Sequence, residues 1–209
     1  MRQLKKPEVR RGEIVDTALR LFADRGYEKT TVEAIIGELG VAKGCFYHYF
    51  RSKEDLFGAC AEIVSERLLA DYRGILENPA ARPAERLVAF LDYTYGLADD
   101  PDGFLRSPQP TAVADLDHRV SNTVAAQLLP SVTSLIDEGD TVGDFVVTDP
   151  EMTAVAVLGA LNNLHNAYVF RAELDLAAHR RGVLQLLDRM LVAQLPESVD
   201  MPATKGETR

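Results

Sequence analysis

The chain has 209 residues, 46% hydrophobic and 26% charged, proportions that fit one or two folded domains rather than an array and exclude a generally disordered protein. Its net charge of −9 excludes a uniformly basic coat for indiscriminate nucleic-acid binding, and two cysteines are too few to staple a fold of this size. The longest apolar stretch, residues 154–161, is far short of the roughly 20 residues that cross a bilayer, and no secretory h-region follows the start, so a reducing cytoplasm is expected.

The charge is divided unevenly. Residues 1–60 hold eleven basic and nine acidic side chains, net +2, whereas the remainder holds twelve and twenty-three, net −11. The two parts are therefore expected to meet different partners. Arg2, Lys5, Lys6, Arg10 and Arg11 suggest a mobile basic arm ahead of the first helix, able to meet phosphate or simply to solubilise the terminus.

Ile14, Ala18, Leu21 and Phe22 form an apolar stripe of helical period that stops at Arg25-Gly26, a basic last turn followed by a terminating glycine. Thr30 and Glu33 have the spacing of a capping box, ahead of Val32, Ile35, Ile36 and Leu39, a second stripe that ends at Gly40. Gly40-Val41 makes a tight connection, and Phe46 with Phe50 gives a third short helix its apolar row. Two short helices joined by a glycine turn and covered by an earlier helix make a helix-turn-helix.

The third helix then has a second face to account for. At about 100° per residue, Lys43, Gly44, Tyr47 and His48 share an arc opposite Phe46 and Ala42. A cation, a glycine that permits close approach, a phenol and an imidazole suit phosphate oxygens and base edges in a major groove. The alternative is that Tyr47, His48 and Tyr49 are packing aromatics of a small helical domain.

Ile14-Val-Asp-Thr-Ala-Leu-Arg-Leu-Phe-Ala, Gly26-Tyr-Glu-Lys-Thr-Thr-Val, Leu39-Gly-Val-Ala-Lys-Gly, Phe46-Tyr-His-Tyr-Phe and Ser52-Lys-Glu-Asp-Leu together resemble the DNA-binding domain of TetR/AcrR-type transcriptional regulators. The resemblance implies that Thr31 and Lys53 hold phosphates and that Lys43, Gly44, Tyr47, His48 and Tyr49 face DNA, with Lys43 and Tyr47 contacting bases. Two positions depart from the pattern. Cys45 replaces a small hydroxyl residue and is a weaker donor to phosphate. Ala42 stands where a serine is frequent, at a cost of about 1 kcal/mol for the lost cap. A redox role for Cys45, beside Lys43 at a helix start, competes with a plain filler role, and Cys60 on an apolar stretch is expected in the core.

Ser52 and Asp55 repeat the capping-box spacing, and Leu56, Cys60, Ile63, Val64, Leu68 and Leu69 carry a stripe out of the first domain without a flexible linker. Breaks at Asn78-Pro79, residues 99–103, Ser107-Pro108, Pro130, residues 139–149 and Pro196 divide the rest into helices, Leu87, Leu91 and Tyr95 marking one face. No alternating strand pattern competes, because Phe145-Val146-Val147 is too short to found a sheet. The predicted class is all-α: a helix-turn-helix domain over residues 1–51, a helical regulatory and dimerisation domain over 52–195, and a frayed tail over 196–209.

The next-to-last helix, from Glu151 to about Ala172, has a small-residue ridge of Ala156, Gly159, Ala160 and Ala167 that would admit another helix closely. Val183, Leu187 and Met190 broaden the apolar band of the last helix. Both suggest half of a four-helix homodimer interface, with an ordinary buried helix pair as the alternative. Asn162, His165 and Asn166 share a face and need hydrogen bonds if buried, so with Phe90, Tyr93 and Phe104 they are candidates to line an effector cavity, which the resemblance also implies, or else to bond across the dimer. Asp115, Asp117 and His118, like Asp99, Asp100 and Asp102, read as solvated carboxylates and loop groups rather than metal ligands. No nucleophile, phosphate-loop or dinucleotide motif is present, so neither catalysis nor a cofactor is expected. The overall expectation is a homodimeric, effector-responsive repressor on a palindromic duplex operator, with no membrane partner; the competing reading is a helical small-molecule binder or metal-dependent enzyme without DNA function.

Overall fold

The computed structural model describes residues 6–99, 110–168, 176–193 and 195–196. Eight helices occupy them: α1 (Pro7–Arg25), α2 (Val32–Leu39), α3 (Lys43–Tyr49), α4 (Lys53–Leu76), α5 (Pro83–Asp99), α6 (Pro110–Val142), α7 (Pro150–Tyr168) and α8 (Leu176–Leu191). There is no strand among the described residues, so the class is all-α. The chain divides into two compact units, Met1–Leu69 with Leu97–Ala126, and Ala70–Gly96 with Gln127–Arg209.

In the first unit α1 begins earlier than its apolar stripe suggests. Pro7 occupies the first turn, where its missing N–H costs nothing, and Glu8 complements the helix dipole. Arg10 and Arg11 therefore belong to a helix and not to a free arm: Arg10 Nη1 donates to Glu13 Oε2 at 2.7 Å, and the Arg11 guanidinium lies 5.2 Å from the Phe50 ring centre. Residues 1–5 of the expected arm lie outside the described residues. The unit's core joins Ile14, Val15, Ala18, Leu21 and Phe22 of α1 with Ile35, Phe46, Phe50, Leu56 and Cys60. Phe22, Tyr27 and Phe57 stack as an aromatic trio, with centroids 4.6 to 5.8 Å apart.

The cap of α2 falls one residue later than the Thr30/Glu33 spacing predicts. Thr31 is the cap, its Oγ1 accepting from the Ala34 N–H at 3.1 Å. Thr30 is buried instead, its hydroxyl within reach of the Gly26 and Leu21 carbonyls at 2.8 and 3.1 Å. The preceding turn explains the shift: Gly26, at φ 83°, ends α1 and leaves carbonyls that a buried hydroxyl can satisfy. At the other end of α2, Gly40 takes the left-handed conformation, φ 62°, and Val41 N–H returns to the Ile36 carbonyl at 3.0 Å. Ala42 then opens α3 with no side-chain cap.

In the second unit Leu76, Leu87, Leu91, Val132, Leu135, Ile136, Phe145, Val157 and Leu187 are buried. Pro130 does not break the chain as expected, because α6 runs through it. An interior proline costs about 3 kcal/mol, but Leu128, Val132, Leu135 and Ile136 are all buried around it, and each such burial contributes roughly 1.5 to 3 kcal/mol. The burial outweighs the proline. Arg86, itself buried, ties three segments of this unit, donating from Nη1 to the Leu76 carbonyl at 3.0 Å and pairing with Glu138 at 2.6 Å.

Candidate nucleic-acid interface

Helix α3 is anchored from one side. Phe46 is fully buried and meets Phe50 at 5.8 Å, while the Tyr47 ring stands edge-on to it at 5.3 Å. The remaining faces are open: Lys43, Gly44, Tyr47 and His48 are exposed, Tyr47 by 51%, and Cys45 and Tyr49 are half-buried. The His48 ring packs edge-on against Tyr49, centroids 4.8 Å apart. A side chain at Gly44 would meet nothing within 4 Å, so the unit's own packing does not demand a glycine there. A helical glycine costs about 1 kcal/mol relative to alanine, a cost no internal contact explains.

The cations are oriented rather than loose. Lys43 Nζ pairs with Glu33 Oε1 of α2 at 2.7 Å and lies 5.9 Å from the Tyr47 ring centre. The hydrogen bond between them raises the Lys43 pKa and lowers that of Glu33. Lys53, at the start of α4, donates to the Tyr27 carbonyl at 2.9 Å with its Nζ 4.0 Å from the centre of that ring. Burial, then the Glu54 carboxylate, pushes the Tyr27 phenol up to about 12, so it stays neutral beside the ammonium. Ser52 caps α4 through the Asp55 N–H at 3.1 Å, as the spacing predicts, while Asp55 returns to the Arg51 N–H at 2.8 Å.

Each of these groups keeps a donor for an anion or a base edge. Thr31 uses its oxygen as an acceptor for the cap, which leaves its hydroxyl proton to donate outward. An ammonium has three donors, so neither Lys43 nor Lys53 is exhausted by its partner. Sequence reasoning missed Glu33 and Tyr27 as the groups that orient these lysines. The pairs are separated by 10 and 26 residues, and only the fold brings them together.

Of the other candidates, Phe90, Tyr93, Asn162 and His165 and those of α7 and α8 lie in the second unit. Phe90 is buried and meets Tyr72 at 4.8 Å, and the half-buried Tyr93 donates its hydroxyl to Asp71 Oδ2 at 2.6 Å. Burial and that bond raise the Tyr93 pKa strongly. Asn162 and His165 are half-buried on α7, and each has an interaction partner. Phe104 and the side chain of Asn166 lie outside the described residues. On α7, Ala156, Gly159 and Ala167 are exposed and Ala160 is half-buried. On α8, Val183 and Leu187 are 2% and 0% exposed, so their apolar surface is spent within the chain rather than on a partner; Leu186 is exposed and Met190 half-buried. No helix among the described residues is long and apolar enough to cross a membrane, and none of their acidic, histidine and cysteine side chains cluster as a metal site.

The family model for bacterial regulatory proteins of the tetR family matches residues 14–60, the stretch that builds α1 to α3 and the first turns of α4. The transcriptional repressor Rv1474c of Mycobacterium tuberculosis is 30% identical over 172 residues, 74% of this chain and 91% of that protein. The repressor KstR2 of the same species is 40% identical over 78 residues, 37% of this chain and 38% of its own length. A TetR-family regulator from Pectobacterium atrosepticum shares the fold at TM-score 0.71 and 21% identity, covering 91% of this chain and 98% of its own. FadR, a fatty acid degradation regulator from Bacillus halodurans, aligns at TM-score 0.64 and 26% identity, over 88% of this chain and 96% of its own. The chain belongs to the tetR family of bacterial regulatory proteins.

Proposed function

We propose that this chain is a cytoplasmic, homodimeric repressor that reads a palindromic duplex operator through α3 and lets go when a small molecule occupies its second unit. One observation carries the DNA-binding part. Lys43, Gly44, Tyr47 and His48 all lie open on a seven-residue helix whose buried Phe46 holds it in place. Thr31 and Lys53, at the starts of α2 and α4, serve as the phosphate anchors, and Cys45 and Tyr49 fill the flanks of the contact.

Two copies are needed because one short helix reads too few base pairs, and a two-fold pair sets two half-sites about 34 to 36 Å apart. The exposed ridge of α7, with Val155, Ala156 and Gly159, and the exposed Leu186 of α8 supply apolar and small-residue surface for that pairing. Phe90 and Tyr93, with Asn162 and His165, are the residues from which an effector site would draw its apolar and polar walls. Helix α4 is continuous from Lys53 to Leu76 and so belongs to both units. An effector that prefers the wrong half-site spacing by about 1 to 3 kcal/mol would weaken operator binding 5- to 150-fold.

The test is selection of bound duplexes from a randomised pool, followed by Lys43→Ala with Tyr47→Ala. Enrichment of a palindrome, and its loss in the double variant at unchanged melting temperature and dimer mass, is the expected result. No enrichment of any sequence would overturn the reading, and unfolding of the double variant would show that these residues build the unit rather than read DNA.

A further inference from the structure

Glu33 is an acid in direct contact with the proposed reading surface. Its carboxylate holds Lys43 Nζ at 2.7 Å, yet both side chains are exposed and neither is needed to fill the core. A carboxylate at that place has two opposing effects on DNA binding. It fixes the ammonium near Tyr47, whose ring centre is 5.9 Å away, and it stands against any phosphate that approaches the same corner.

We propose that Glu33 is a specificity-setting positioning residue, which holds Lys43 for a neutral base acceptor and penalises its use as a free phosphate clamp. The inference rests on the reading of α3 as the DNA-facing helix. A guanine edge offers uncharged O6 and N7 acceptors, which the ammonium can take with its second and third donors while keeping Glu33. A phosphate oxygen carries charge, and within the roughly 8 to 10 Å over which charges are felt at moderate salt it is repelled by Glu33. Random duplex, which offers phosphates but not the matched base, is therefore held off more than the operator is. Glu33 acts through Lys43 and touches no base.

The experiment measures binding of the full-length protein to a duplex selected from a randomised pool and to a random-sequence duplex of equal length, across a salt series. Glu33→Gln keeps an acceptor for Lys43 but removes the charge. It is expected to bind the random duplex about threefold to tenfold more tightly, the size of one near-surface charge contact, with its log-log salt slope steeper by about 0.9, one more phosphate neutralised. Operator affinity should change less, so the ratio of operator to random affinity falls. In a Lys43→Ala background the same substitution should lose most of this effect. An unchanged ratio and slope would overturn the proposal, as would an effect that persists undiminished without Lys43. If wild type itself enriches no sequence, it is the reading of α3 that fails, an outcome distinct from either.

Discussion

Lys53 rests on Tyr27, its Nζ donating to the Tyr27 carbonyl oxygen at 2.9 Å and standing 4.0 Å from the centre of the ring. The contact joins the turn after α1 to the first residue of α4.

Lys53→Met keeps the aliphatic stem and removes the charge. It is expected to weaken binding of all duplexes about equally and to reduce the salt slope by roughly 0.9, the signature of a lost phosphate contact. Stability should fall by no more than about 1 kcal/mol, the usual scale for a surface cation over a ring. Binding isotherms at several salt concentrations check it; an unchanged slope would show that this ammonium serves the fold alone.

Thr30→Val is nearly isosteric, so it isolates the hydroxyl. The side chain is fully buried, and its oxygen lies within hydrogen-bond distance of the Gly26 and Leu21 carbonyls, both at the end of α1. Removing the donor leaves the Gly26 carbonyl, the nearer of the two at 2.8 Å, without its hydroxyl partner in a dry place, at an expected cost of about 1 to 3 kcal/mol. Thr30→Ser, which keeps the hydroxyl, should cost less. Urea midpoints of the two variants decide the matter, and a valine variant as stable as wild type would contradict it.

Thr30 and Thr31 also show where sequence reasoning stops. The periodicity of Ile14, Ala18, Leu21 and Phe22 is local, and the helix it predicts is present with its end at Arg25. The cap of α2 depends on which of two adjacent threonines the turn buries, a choice made by the carbonyls of α1 and not by the spacing to Glu33. The open face of α3 was legible because one buried phenylalanine fixes the phase of a seven-residue helix. The partners of its cations were not, since Glu33 and Tyr27 reach them through tertiary packing. Likewise the apolar residues of α8 could be recognised as apolar, but that Val183 and Leu187 are consumed inside the chain while Leu186 is not depends on the helix's rotation about its axis.

Cys60 gives the fold a dependence on alkaline pH. Burial, then the nearby Asp16 carboxylate, pushes its thiol from 9.0 up to about 12, against a smaller opposing pull from Arg11. Between those values the unfolded chain releases the proton while the folded chain retains it. The stabilisation is therefore complete below pH 9 and is lost as pH rises toward 12, with a slope approaching about 1.4 kcal/mol per pH unit. Cys60→Ala should be less stable at pH 7, through its lost packing, but should lose less on going from pH 8.5 to 10.5. Urea unfolding at the two pH values measures the difference, and parallel losses in variant and wild type would show that the thiol does not titrate in this window.

Gly139, near the end of α6, is required by a ring. A Cβ built there would come within 2.1 Å of Phe145 Cδ2 and 2.3 Å of Cε2, far inside contact distance. Phe145 cannot retreat easily, because it is 1% exposed and its N–H, like that of Asp144, is held by the Gly139 carbonyl, at 3.1 and 2.8 Å. In an open helix, alanine would be the better residue by about 1 kcal/mol. Here overpacking, typically 1 to 3 kcal/mol, opposes it and wins. Gly139→Ala is therefore expected to destabilise the second unit, and Phe145→Leu, which is smaller and destabilising by itself, should recover part of that loss when the two are combined. A double variant no more stable than the sum of its parts would mean that the close approach of ring and helix is relieved by a shift of the backbone and not by the size of residue 145.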